Sequence, residues 1–200
     1  MPILVTSTGF FYKNTVETSQ KTFKNDRTAE KISIVTTAAR QKEKNIFVRN
    51  AVEDFLAMGF SNKQIEFFDF DTNSSDHLLS STIIFINGGN PFYLLQSIRE
   101  NNGQPILNEL LKKKAYIIGV SAGALVLGPG LELVNAFTPH LNTFDITDLT
   151  ALNLCKDYLF PHYDRSDLFG DNIEEKITTF EHNTGKKVLR LKDNENLFYP

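Results

Sequence analysis

Short apolar runs alternate along this chain with polar stretches that carry helical spacing. Ile3-Leu4-Val5-Thr6 opens the series and predicts a first strand ending at Gly9. Residues 10–27 are polar without a clear period and predict a loop with a short helix. Lys31-Ile32-Ser33-Ile34-Val35-Thr36 predicts a second strand. From Gln41 to Met58, Val48, Val52, Phe55 and Leu56 share one face at helical spacing, with Gly59 as a stop. A third strand is predicted at Gln64–Phe70 and a fourth at Thr82–Ile86. After the fourth, Asn90 suits an N-cap and Pro91 the first helical position, so a helix is expected over Phe92–Glu100. Another follows over Pro105–Lys114, with Ile106, Leu107, Leu110 and Leu111 on its apolar face.

Strands alternating with helices in this way predict an α/β fold: an open, mostly parallel sheet with helices on both faces. In such a sheet the ligand site lies beyond the carboxyl ends of the strands. Beyond residue 130 the alternation fades. Residues 131–150 show no period, and 152–160 are β-like. Ile173, Ile177 and Phe180 align over Asp171–Glu181 as an amphipathic helix. Lys187–Leu191 and Asn196–Tyr199 flank Lys192-Asp193-Asn194-Glu195 and read as a terminal hairpin. No repeat, low-complexity segment or linker interrupts the chain, and one domain over 1–200 is expected.

The most informative stretch is Ala115-Tyr116-Ile117-Ile118-Gly119-Val120-Ser121-Ala122-Gly123-Ala124. A buried strand runs into Gly-x-Ser-x-Gly and then into a short helix ended by Gly128-Pro129. This is the pattern of a nucleophile elbow: a sharp turn exposes the serine hydroxyl, and a helix N-terminus leaves free N–H groups beside it. Asn87-Gly88-Gly89-Asn90 follows the preceding buried strand, so neighbouring parallel strands would set it beside Ser121. Gly88, Gly89 and Ala122 are thereby candidate donors to an oxyanion. The same glycines also suit a plain tight turn, and neither G-x-G-x-x-G nor G-K-[ST] is present to indicate a phosphate loop.

A serine nucleophile needs a base. Of the four histidines, His77 and His182 sit in polar surroundings, while His140 and His162 each follow a proline. His162, after a β-like segment, is favoured over His140.

Composition narrows the picture. Net charge is −3, from 21 basic and 24 acidic residues, and no basic block suggests nucleic acid as a partner. Lys112-Lys113-Lys114 closes a predicted helix, where it complements the dipole. With Cys155 as the single cysteine, neither an intrachain disulfide nor a cysteine-based zinc site can form. The histidines lack metal-site spacing, so no metal or cofactor is expected. No run reaches the roughly 18 apolar residues of a membrane span, and the N-terminus lacks a signal pattern. A cytoplasmic protein without a membrane partner is the default expectation, as a monomer or homodimer.

Gly119-Val120-Ser121-Ala122-Gly123-Ala124, preceded by Asn87-Gly88-Gly89-Asn90 and followed by Pro161-His162, resembles the peptidase E group of serine peptidases, family S51, which includes aspartyl dipeptidases and cyanophycinases. The resemblance spans about Ile3 to Asp193. Asn87 stands where the family pattern has glycine, and Phe160 where it has asparagine before Pro-His. The resemblance implies a flavodoxin-like, class I glutamine amidotransferase-like architecture. It also implies Ser121 as nucleophile, His162 as base, and Gly88, Gly89 and Ala122 around the oxyanion. The substrate would be a short peptide with N-terminal aspartate, with Asn90 and Arg165 as candidate substrate-binding residues; for Arg165 a surface salt bridge with Asp164 or Asp167 is the competing reading. The acid expected shortly after Gly-Pro falls on Ala136. Glu132 or Asn135 could replace it, or a more distant Asp145, Asp148 or Asp157; otherwise a weakened dyad remains. The alternatives are an esterase of α/β-hydrolase type and a degenerate member that only binds a ligand.

Overall fold

The computed structural model describes residues 2–23 and 27–200. Residues 24–26, the end of the first predicted loop-and-helix segment, lie outside them. The described chain runs β1 (Ile3–Thr6), α1 (Lys13–Thr22), β2 (Ile32–Val35), α2 (Ile46–Ala57), β3 (Ile65–Phe68), β4 (Ile83–Ile86), α3 (Pro91–Glu100) and α4 (Gly103–Lys112). Then come β5 (Tyr116–Val120), α5 (Ala122–Leu127), α6 (Glu132–Phe137), β6 (Tyr158–Pro161), α7 (Ser166–Phe169), α8 (Ile173–Thr184), β7 (Val188–Leu191) and β8 (Asn196–Tyr199). Six strands form an open sheet in the order β3-β2-β4-β5-β1-β8. The first five are mutually parallel, and β8 pairs antiparallel to β1.

The central strands are buried on both faces, so each sends alternate residues to opposite layers. Ile3, Val5, Ile84, Ile86 and Ile117 join the apolar faces of α3, α4 and α5. Leu4, Ile83, Phe85, Tyr116 and Ile118 meet α2 through Val48, Ala51 and Phe55, and Val16 of α1 packs on the same layer. Much of the phenylalanine content is spent here. Phe10, Phe23, Phe60 and Phe85 surround Phe55 at 5.2–6.4 Å, three of the four edge-to-face.

A third cluster joins Leu133 of α6, Tyr158 and Phe160 of β6, Ile173 and Ile177 of α8, and Val188 of β7. β6 and β7 pair in parallel as a separate two-stranded sheet. The terminal hairpin predicted from the sequence is therefore replaced by a split: β7 joins β6 and β8 joins β1. The edge of β1 left open by β5 offers unpaired backbone groups, and β8 satisfies them. The four-residue link Lys192–Glu195 crosses between the two sheets instead of closing a turn. The region 131–150, which shows no period, contains α6 and a 3₁₀ turn at Pro139–Leu141. The β-like 152–160 contributes strand only from Tyr158 onward.

β5 sends α5 to one face of the sheet and β1 sends α1 to the other. The carboxyl ends of two adjacent parallel strands whose connections diverge leave a crevice, which is where open α/β sheets bind ligands.

Candidate active site

Ser121 sits at that crevice, between β5 and α5, with φ 49° and ψ −108°. This backbone is strained for a residue with a side chain. It is held from both sides: Ser121 N–H donates to Thr6 C=O at 2.9 Å, and Ser121 C=O accepts from Leu125 N–H at 3.0 Å. The flanking glycines are required by contact. A Cβ at Gly119 would lie 2.6 Å from Leu127 Cδ1, and one at Gly123 would lie 2.2 Å from Ile86 C=O. With neither present, α5 packs directly against β5 and β4.

Gly88 lies against the serine, where an added Cβ would be 3.3 Å from Ser121 Cβ. Gly89 has φ +143°, and a Cβ there would lie 1.9 Å from Ala38 C=O. The turn is pinned at its ends, Asn87 N–H donating to Val35 C=O and Asn90 N–H to Ala38 C=O, each at 3.1 Å. Between them, the N–H groups of Gly88 and Gly89 donate to no protein acceptor among the described residues. Ala122 N–H, at the first turn of α5, has no intrahelical acceptor either. Gly89 and Ala122 line one cleft together with Ser121 and His162.

His162 follows Pro161 at the end of β6, with φ 59°. Its Nε2 is 3.0 Å from Ser121 Oγ, and its Nδ1 is 2.6 Å from Asp193 Oδ1. Asp193 lies in the link between β7 and β8. Its N–H donates to Asp164 Oδ1 at 2.9 Å, its C=O accepts from Thr8 Oγ1 at 2.8 Å, and Arg165 Nη1 donates to its Oδ2 at 3.2 Å. The His162 backbone is tethered through Ser7, a fully buried residue at the end of β1. Ser7 Oγ accepts from His162 N–H and donates to Leu191 C=O, each at 3.0 Å.

The serine, histidine and two-glycine turn thus converge as the sequence suggests, whereas other candidates lie elsewhere. Glu132 is away from the imidazole: both its oxygens accept from Tyr158 Oη at 3.2 Å, and Lys186 pairs with it at 3.4 Å. Ala136 is an exposed position on α6. Asp148 pairs with Arg99, and Asp157 accepts from Tyr199. His140 is exposed on the 3₁₀ turn.

Asn90 is occupied as the cap of α3. Its Oδ1 accepts from Phe92 and Tyr93 N–H, and its Nδ2 donates to Leu141 C=O at 2.8 Å. Arg165 grips Asp167 with two hydrogen bonds, at 2.7 and 2.8 Å, besides reaching Asp193. These two carboxylates, Asp167 first, hold the guanidinium pKa above its ordinary value. Cys155 is buried and remote from this chemistry; burial, then the nearby Asp157, pushes its thiol up to about 12. Asp193, Ser7 and Thr8 carry no motif signal. The only trace was an acid between two strands, which a hairpin explained equally well.

A hydroxyl, an imidazole and a carboxylate in one hydrogen-bonded line, beside unpaired N–H donors, can activate a nucleophile and stabilise an oxyanion. Residues 3–200 match the model of peptidase family S51. The chain belongs to family S51. An uncharacterized peptidase of Pasteurella multocida is 30% identical to this S51 chain over 140 residues, 66% of the chain but 64% of that relative. An uncharacterized peptidase of Listeria monocytogenes is 25% identical over 181 residues, covering 88% of this chain and 85% of that one. Among solved structures, a candidate peptidase E protein from Listeria monocytogenes superimposes with TM-score 0.81 at 22% identity, over 99% of this chain and 93% of that one. A peptidase from an acI-B1 actinobacterium gives 0.73 at 14% identity, over 99% and 82%. At these identities the structures establish the shared fold. Among the described residues, no helix is long and apolar enough to cross a membrane.

Proposed function

We propose that this S51 chain is a serine peptidase acting on short peptides, with Ser121 as nucleophile, His162 as general base and acid, and Asp193 as the orienting acid. The observation that carries the reading is the line Ser121 Oγ–His162 Nε2 at 3.0 Å and His162 Nδ1–Asp193 Oδ1 at 2.6 Å. His162 Nε2 takes the hydroxyl proton as Ser121 Oγ bonds to the scissile carbonyl carbon. The oxyanion accepts from the N–H groups of Gly88, Gly89 and Ala122. The proton on Nε2 then passes to the leaving amine as the C–N bond breaks. Water repeats the sequence on the acyl-serine, returning its proton through His162 and releasing the acid. Asp193 fixes the Nδ1–H tautomer and stabilises the imidazolium.

An α/β-hydrolase esterase is disfavoured by chain order. There the acid precedes the histidine, whereas here Asp193 follows His162. A cleft of about 90 Å³ beside Ser121 supports a small substrate. The test combines two measurements. A fluorophosphonate is expected to label Ser121, found by peptide mapping, and dipeptide hydrolysis is expected to vanish in Ser121→Ala and His162→Ala. Folded wild type that hydrolyses no peptide and resists the probe overturns the reading.

A further inference from the structure

We propose that the cleft beside Ser121 selects a medium-sized aliphatic side chain next to the scissile bond, such as leucine or methionine, in place of the aspartate that the family resemblance suggests. The proposal rests on the serine peptidase reading above. It starts from what lines the cleft: Pro91, Leu125, Val134, Phe137, Phe160 and Phe169 form its walls around Ser121 and His162. Thr138 is the one further polar side chain there. Among the described residues, no lysine or arginine lines it.

A substrate carboxylate entering this space would lose its water and gain no cation, which is unfavourable unless it is paired. Arg165 does not supply one, since Asp167 and Asp193 already hold its guanidinium. The N-terminus of α3, whose Pro91 borders the cleft, does not either. Proline has no N–H, the Phe92 and Tyr93 N–H groups are taken by the Asn90 side chain, and Leu94 N–H donates to Asn90 C=O. The anion-binding capacity of a helix start is thereby spent internally. Asp193, behind the imidazole, would add repulsion.

The apolar character includes a position where this chain departs from the peptidase E pattern. Phe160 stands where that pattern has asparagine before Pro-His, and it faces the cleft. Its ring packs on Phe137 at 4.6 Å and Phe169 at 5.1 Å, and those two lie 6.0 Å apart. Three mutually packed rings make a stiff wall. An aliphatic side chain gains burial against it in proportion to its apolar area.

The experiment measures kcat/KM for dipeptides carrying leucine, methionine, aspartate or lysine on either side of the bond, with alanine as the other residue. Leucine and methionine are expected to exceed aspartate at least about tenfold at one position, the range that apolar pocket contacts give. Leu125→Arg is expected to invert that order, and Phe160→Asn, a milder change, to narrow it. Ser121-dependent hydrolysis that prefers aspartate, or ignores side chain, overturns this inference and leaves the peptidase reading intact. If no dipeptide is cleaved, fluorophosphonate labelling of Ser121 decides the peptidase reading. The inference is then decided by calorimetric binding of the aminoboronic acids of leucine and aspartate to wild type: tighter binding of the leucine analogue supports it, and equal or inverted order overturns it.

Discussion

His162 Nδ1 and Asp193 Oδ1 stand 2.6 Å apart although 31 residues separate them, and they come from different sheets' margins. His162 directly follows β6 of the small sheet, while Asp193 lies where the chain leaves that sheet to add β8 to the large one. The contact thus exists because the C-terminal strands separate. A hairpin across Lys192–Glu195 would have kept β8 beside β7 and removed the link that presents the carboxylate.

Asp193→Asn is expected to lower kcat by as much as about 10⁴-fold, because the amide can bind the wrong tautomer and cannot stabilise the imidazolium. Glu132→Gln is the matched control. Its partners are Tyr158 and the half-exposed Lys186, so kcat/KM is expected to stay near wild type. Steady-state kinetics on both variants decides the matter; a large loss in Glu132→Gln with Asp193→Asn unaffected would reverse the assignment.

Ser7 acts through His162. Removing its hydroxyl in Ser7→Ala leaves His162 N–H without its acceptor, whereas Leu191 C=O keeps the Tyr163 N–H donor. A buried unsatisfied group costs about 1–3 kcal/mol, so the urea midpoint is expected to fall. Because His162 holds φ 59°, loosening it is also expected to lower kcat more than it raises KM. A variant with unchanged midpoint and unchanged kcat would refute the tether.

Gly89 and Gly185 both have positive φ, but only one is crowded. At Gly185, which ends α8 with φ +68°, an added Cβ meets nothing within 4 Å. Gly185→Ala is therefore expected to cost only the left-handed penalty, about 1–2 kcal/mol. At Gly89 the same atom would lie 1.9 Å from Ala38 C=O, so the turn beside Ser121 must move. Gly89→Ala is expected to cost more stability and to reduce kcat. Chemical denaturation of the two variants side by side tests the ranking.

The strands that could be read from the sequence are those whose burial is written locally. Ile32–Val35, Ile83–Ile86 and Tyr116–Val120 are buried throughout and, Ser33 apart, carry no strongly polar side chain, as suits central parallel strands. The elbow was legible because Gly119 and Gly123 are demanded by contacts within a few residues of Ser121 or on the next strand. The acid was not, because a carboxylate's role depends on which sheet its neighbours join. The Asn90 cap and the Arg165–Asp167 pair were legible because their partners lie within three residues, but the bonds of Asn90 to Leu141 and of Arg165 to Asp193 were not, since those lie 51 and 28 residues away. The burial of Cys155, by contrast, accords with its local context, Leu152-Asn153-Leu154 before it.

That buried thiol sets an alkaline limit on stability. Its ordinary value is 9.0, and burial, then Asp157, raises it to about 12 in the fold. Below about pH 9 the thiol is protonated in both states, and its contribution is fully present. Between about pH 9 and 12 the unfolded chain releases the proton and the folded chain does not, so stability falls as pH rises. Replacing the thiol in Cys155→Val is expected to remove about one proton equivalent from that slope. Some slope is expected to persist, because Tyr199 and Tyr116 are raised by burial as well. Denaturant titrations of wild type and Cys155→Val from pH 8 to 11 provide the check: parallel curves across that range would show that the thiol ionises in the fold as readily as in the open chain.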